Sequence, residues 1–167
     1  MILLVRVDNR LLHGQILEAW LPRLGAKRVV VADDASAASP LARAAMTLCL
    51  PPELRAEVLR VDAVDFAALA DAKEGVLVLV RDVAALARAA ANGLTPERAP
   101  RVNLGNVHYG PGRRAVTPSV FLDRADVDEV AALARAGFQV EARAVPSDAP
   151  VGPLEIAEKY DAAGEKR

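Results

Sequence analysis

The 167-residue chain predicts an α/β fold: an open, doubly wound, mostly parallel sheet of about six to seven strands with helices on both faces. Two observations carry this. Short apolar runs alternate along the whole length with amphipathic segments, and the connections between them are brief. One run, Val76 to Val80, is apolar without interruption, as expected of a strand covered on both faces of a parallel sheet. No internal repeat, low-complexity segment or dividing linker interrupts the pattern. A single domain over 1–167 is expected, with 146–167 as a C-terminal tail carrying a short helix.

The elements follow in order. Met1 to Val5 has strand character and gives way to the charged stretch Arg6, Asp8, Asn9 and Arg10. Gln15 to Leu24 is amphipathic, with Leu17, Trp20, Leu21 and Leu24 at core-facing helical spacing, and Gly25 ends it. Arg28 to Ala32 predicts a second strand, with Asp33 and Asp34 at its carboxyl end. Ser39-Pro40 opens a helix whose stripe is Leu41, Ala44, Ala45 and Leu48, stopped by Pro51-Pro52. Glu57 to Val61 predicts a third strand. Asp62 caps a helix through Phe66 and Leu69, and Gly75 introduces the fourth strand. Asp82 to Ala91 is the next helix, with Val83, Leu86, Ala87 and Ala90 facing inward and Asn92-Gly93 closing it. Arg101 to Leu104 predicts a fifth strand, and Gly105 to Gly112 a loop. Ala115 to Thr117 and Val120 to Leu122 are short extended pieces. Asp126 to Ala136 is a helix, and Phe138 to Val145 closes the sheet as an edge strand, for which an antiparallel direction is allowed. Leu154 to Tyr160 suits a short polar helix with a loose end.

Composition narrows the function. Hydrophobic residues make up 53% and charged residues 26%, with a formal net charge of −1 and scattered arginines. That is an ordinary globular balance without the basic footprint of a nucleic-acid binder. Cys49 is the only cysteine, so neither an intrachain disulfide nor a cysteine-based zinc cluster can form; its place on the apolar side of a helix suggests a buried, inert thiol. Two histidines and scattered carboxylates give no metal-ligand spacing, so no metal is expected. There is no G-x-x-x-x-G-K-[ST] loop and no G-x-G-x-x-G after a strand, which argues against a nucleotide-using kinase or dehydrogenase. The first apolar run is too short for a signal peptide, and no stretch approaches the roughly 18 apolar residues of a membrane span. A cytoplasmic protein is expected.

The chemistry concentrates at the end of the first strand. His13 falls in a short loop between strand and helix, where first-turn amides and the helix dipole make an anion site. Gly14 keeps a side chain out of the way. Arg10, three residues earlier, can offer a guanidinium fork to phosphate. A histidine so placed is a candidate nucleophile for a phosphoryl group, with Arg10, Gly14 and Gln15 to hold the arriving charge. Asp8 can orient the imidazole or cap the loop, and Arg6 is structural or part of a docking surface. In a doubly wound sheet, ligands bind beyond the carboxyl ends of the strands. His13 and Arg10 are therefore expected to share a shallow cleft with Asp33 or Asp34 and with Arg81-Asp82.

Val5-Arg6-Val7-Asp8-Asn9-Arg10-Leu11-Leu12-His13-Gly14-Gln15-Ile16, followed by Trp20, resembles the active loop of the mannose/fructose/sorbose-type IIB component of the bacterial sugar phosphotransferase system. Asn103 to His108, Gly112-Arg113-Arg114, Ser119 to Leu122 and Ala144 to Asp148 resemble the same family in the same order. The resemblance implies a phosphohistidine carrier, a phosphotransferase in which His13 accepts a phosphoryl group on Nδ1 from a IIA component. A sugar, a hexose held by the membrane-embedded IIC and IID components, then takes it during phosphoenolpyruvate-dependent uptake. Peripheral association with those membrane components follows, and self-association is left open. Asn106 departs from the family, where a second glycine is frequent, and Asn9 replaces a frequent aspartate.

Two other readings stand beside this one. The same His13 chemistry suits a regulatory phosphocarrier without a transport role, and the loop alone suits a module that binds an anion without covalent chemistry. Several residues favour plainer roles: Trp20 in the core, His108 exposed or structural, Asn103 and Gly105 in a turn, and Arg113 and Arg114 facing solvent.

Overall fold

The computed structural model describes residues 1–48 and 50–165; Cys49, expected as a buried thiol, lies outside them. Six strands form the main sheet: β1 (Ile2–Asp8), β2 (Arg28–Ala32), β3 (Arg55–Leu59), β4 (Val76–Val80), β5 (Arg101–Asn106) and β8 (Gln139–Ala142), in the order β3-β2-β4-β1-β5-β8. Every pairing in it is parallel, including that of the edge strand β8 with β5. Antiparallel pairing is confined to a separate hairpin of β6 (Arg114–Thr117) and β7 (Val120–Leu122). The expected doubly wound sheet is therefore present.

The two faces of the sheet bury different clusters. One packs beneath α4 (Phe66–Asp71), α5 (Val83–Ala91), α6 (Arg124–Arg135) and α7 (Pro153–Glu165), through Val5, Val7, Val78, Phe66, Leu86, Val130 and Ile156. The other packs Leu4, Val29, Val31, Leu77 and Leu79 against Leu11, Leu12, Ile16 and Trp20. Alternation along β1 therefore turns Val5 and Val7 one way and Leu4 the other. β4 is buried at all five positions, as its unbroken apolar run requires.

Several boundaries differ from the sequence expectation for identifiable reasons. β1 runs on through Arg6 to Asp8, because both charged side chains find partners on the Trp20 face. The first helical segment includes a π-helical stretch, Ile16–Trp20, before α1 (Leu21–Leu24). The wider turn shifts the buried positions to Ile16, Trp20 and Leu21. Asp33 caps a short extra helix, α2 (Asp34–Ala38), by accepting from the Ser36 amide. α4 is capped by Asp65 rather than Asp62, which falls in a 3₁₀ turn. The tail is more ordered than its polarity suggested: α7 extends to Glu165, with Ile156 and Tyr160 buried and Arg114 stacked 4.5 Å from the Tyr160 ring centroid.

The stripe assigned to α3 (Pro40–Thr47) is a correction. Leu41 and Leu48 are about four-fifths exposed, and no residue of the helix is buried. Met46, with Leu50 and Leu54, is what packs on the Leu77 cluster. An eight-residue helix covers barely two turns, so its sequence offers two competing stripes and only tertiary placement selects one. Among the described residues, no helix is long and apolar enough to cross a membrane, and no group of three or more His, Cys, Asp or Glu could hold a metal.

Candidate active site

β1 lies between β4 and β5, so the loops leaving the carboxyl ends of these three strands are neighbours. The loop after β1 carries His13. Leu11 takes a left-handed conformation (φ 57°) and is only 2% exposed. That conformation costs about 1–2 kcal/mol for a non-glycine residue, comparable with the 1.5–3 kcal/mol that burying a leucine contributes. Anchoring Leu11 and Leu12 in the core fixes where the chain turns, and the Leu11 amide closes the turn onto the Asp8 carbonyl at 2.9 Å. His13 then caps the helical segment, its carbonyl accepting from the Ile16 and Leu17 amides.

Beneath the loop, Arg6 and Asp8 form an ion pair at 2.9 Å with both side chains wholly inaccessible. Arg6 sits 4.9 Å from the Trp20 ring centroid, and its Nη1 donates to Asn103 Oδ1 at 2.6 Å. Gly105 lies directly against the guanidinium, leaving no room for a Cβ there. The Trp20 indole N–H donates to the Ala144 carbonyl at 3.0 Å, so its ring forms a fixed wall of the Arg6 pocket. A docking role for Arg6 is thereby corrected: a wholly buried guanidinium cannot meet a partner, and it acts as the cation beneath Asp8. Burial lowers the Arg6 pKa, while the Asp8 charge opposes that shift.

Asp8 is the hub. Its Oδ2 accepts from Arg6 and faces His13 Nε2 at 3.1 Å, and its Oδ1 accepts from the Arg10 amide at 3.0 Å. Burial alone would raise its pKa, but the His13 contact, the Arg6 charge and the Arg10 amide outweigh it and hold the carboxyl below its ordinary value. An ionised Asp8 requires a proton on His13 Nε2, which leaves Nδ1 as the nitrogen with the lone pair. The His13 side chain retains 17% exposure, so the ring is at the surface and not sealed in the core.

The rim around His13 is looser. The Arg10 side chain is about half exposed; its Nη2 donates to Gln15 Oε1 at 3.1 Å, and its Nε stands 3.7 Å from Asp8 Oδ1. Arg10, His13 and Gln15 are thus brought together as the sequence suggested. Gly14 has open space where a Cβ would stand. Its backbone needs no glycine conformation, so its smallness matters only to what approaches from outside.

The expected neighbours are partly confirmed and partly displaced. Arg81 grips Asp33 with two hydrogen bonds, 2.8 and 2.6 Å, and Asn9 Nδ2 donates to the Arg81 carbonyl at 2.8 Å. This pair buttresses the loop from the β4 side. Asp34 turns away to Arg88, and Asp82 caps α5. Arg113 pairs with Asp126 at 3.5 Å. What sequence reasoning missed is the contribution of β5. Asn103 is wholly buried against Arg6, and the Asn106 carbonyl accepts from the Asn9 amide at 2.9 Å. The His108 backbone N–H donates to Asn9 Oδ1, which puts the chain's second histidine on the same rim. The asparagines on either side of Gly105 were the available signal.

A parallel sheet presenting a carboxylate-held histidine at its carboxyl edge belongs to a defined class of protein. The chain is a member of the PTS system sorbose subfamily IIB component family, whose model matches residues 2–165. The mannose-specific EIIAB component of Escherichia coli (strain K12) is 27% identical over 162 residues, covering 95% of this chain and 49% of that protein. The chain thus spans about half the length of that relative. The fructose-specific EIIB component of Bacillus subtilis is 29% identical, with 89% of this chain and 90% of that protein covered. Among solved structures, manxB from Thermoanaerobacter tengcongensis superposes with a TM-score of 0.82 at 26% identity, covering 96% of each chain. The IIBSor domain of the Klebsiella pneumoniae sorbose permease shares the fold, with a TM-score of 0.82 at 24% identity and coverage of 95% of this chain and 97% of that one. Family membership places the chain in sugar phosphotransfer.

Proposed function

We propose that this chain is a single IIB-type phosphocarrier unit in which His13 accepts a phosphoryl group from a IIA component and passes it to a sugar during phosphoenolpyruvate-dependent uptake. The observation that carries this reading is the contact of His13 Nε2 with buried Asp8 at 3.1 Å on a ring that stays partly exposed. Asp8 fixes the tautomer and the ring plane, which leaves the Nδ1 lone pair for in-line attack. The new N–P bond forms at Nδ1 as the bond from phosphorus to the IIA phosphohistidine breaks, and the electron pair of that bond returns to the donor imidazole.

Arg10 and the first-turn amides of Gly14 and Gln15 supply donors for the phosphoryl oxygens. Asp8 keeps its hold on Nε2–H throughout, so His13 needs no proton transfer at its own ring. In the second step a hydroxyl oxygen of a hexose held by IIC and IID membrane components takes the phosphoryl group. The hydroxyl proton goes to a base on the sugar's side, and His13 regains its lone pair. The A and B units in the name of the Escherichia coli relative support a IIA partner. The protein works at the cytoplasmic side of those membrane components, and the reaction draws on no cofactor of its own.

The test is labelling. A IIA component first shown to be labelled from phosphoenolpyruvate through the general carriers should transfer acid-labile phosphate to the wild-type chain and not to His13→Ala. Label on His13→Ala, or none on the folded wild type, removes the reading.

A further inference from the structure

Asn106 stands where β5 takes hold of the loop after β1. The register between β1 and β5 shifts at Val7/Asp8, bringing Asp8 opposite Asn106. The Asn106 side-chain amide can sit two ways round. In one, Nδ2 donates to Asp8 Oδ1 at 3.5 Å and lies 3.2 Å from His108 Nε2. In the other, Oδ1 accepts from Arg10 Nε and His108 Nε2, each at 3.2 Å, while Nδ2 donates to the Ser119 carbonyl at 3.2 Å. The second gives three bonds of 3.2 Å in place of the His108 contact and one marginal bond to Asp8, and it satisfies both ends of the amide.

In this arrangement the guanidinium of Arg10 is held along two edges, Nε by Asn106 and Nη2 by Gln15 Oε1. Nη1 has no acceptor among the described residues. Asn106 is itself locked by His108 and Ser119, and Ser119 Oγ donates to the Gly105 carbonyl at 2.9 Å. A half-exposed arginine gives up rotamer freedom when it is fixed on a ligand; holding two of its edges beforehand removes much of that cost when phosphate arrives.

We propose that Asn106 is a positioning residue for phosphoryl transfer: it fixes the Arg10 guanidinium beside His13, with His108 bracing its amide, so that the remaining Arg10 donors meet the phosphoryl oxygens in the transition state. This rests on the reading that His13 is the acceptor, and it adds a residue from the far side of the β1/β5 seam to that site.

A double-mutant cycle on the full chain tests it, with a 32P-labelled IIA component as donor. Asn106→Ala should lower the maximal transfer rate about tenfold, the loss of roughly one hydrogen bond. The donor concentration giving half-maximal rate should stay within about twofold, because an interaction made only in the transition state affects rate and not binding. The variant combining Asn106→Ala with Arg10→Ala should be no slower than Arg10→Ala alone, since Asn106 acts through Arg10. Asn106→Gly removes the same acceptor and provides the same comparison if the alanine variant folds poorly. A folded Asn106 variant at the wild-type rate overturns the proposal. So does a double variant slower than Arg10→Ala by a further tenfold. Both results would leave labelling of His13 untouched, whereas an unlabelled wild type would fail the functional reading itself.

Discussion

Arg6 and Arg10 lie four residues apart, flank the same carboxylate, and do opposite work. Arg6 is wholly buried, paired with Asp8, bonded to Asn103 and stacked beside Trp20. Arg10 is half exposed, 3.7 Å from the other oxygen of Asp8, and tied only to polar side chains on the rim. The difference separates a floor that fixes the His13 ring from a rim that a charged ligand can reach. Changes in the floor should be felt as lost stability, and changes in the rim as lost chemistry with the fold unharmed.

The largest expected effect tests the floor. Arg6→Leu leaves Asp8 buried without its main cation, which should cost about 3–5 kcal/mol, read as a lower urea midpoint with an unchanged slope. A loss below about 1 kcal/mol would show that Asp8 does not depend on the cation beneath it. Next comes the rim: Arg10→Ala should slow phosphoryl acceptance about a hundredfold, as when one transition-state donor is lost. Its stability should stay within about 0.5 kcal/mol of wild type. A large stability loss there would erase the distinction between the two arginines.

A smaller effect lies at the buttress. Burial would raise the Asp33 pKa, but the two bonds from Arg81 and those from Ser36 carry it from 3.8 down to about 2. A carboxylate with a depressed folded pKa contributes stability above its unfolded value, and that contribution fades as pH falls from about 4 toward 2. With Arg81 partly exposed, it amounts to on the order of 1–2 kcal/mol. Asp33→Asn should lose that amount at pH 7 and flatten the acid limb of the stability profile over this interval. An acid limb identical to wild type would mean the pair adds nothing.

Much of this arrangement was legible in the chain itself. The apolar runs located every strand of the main sheet to within a few residues, and β4 matched residue for residue, because strands covered on both faces leave no ambiguity of period. His13, Arg10 and Gln15 were legible because the strand, loop and helix signals around them are strictly local. Leu11 gave no sign of its left-handed turn: nothing in a leucine announces positive φ, and only the cluster that buries it holds it there. Arg6 looked like the end of a strand because a charge usually is one. Its partners Asn103 and Gly105 lie about a hundred residues away, and only the β1/β5 pairing brings them in. The stripe of α3 failed for a related reason, since amphipathicity names an apolar face without naming what covers it.

If Asp8 holds Nε2–H, as proposed, phosphorus is received at Nδ1. Nitrogen-15 and phosphorus-31 NMR of the chain labelled at histidine and phosphorylated by a IIA component tests it directly. One phosphohistidine is expected, His13 substituted at Nδ1, with the Nε2 proton still protected by its bond to Asp8. Phosphate on Nε2, or on His108, would contradict it.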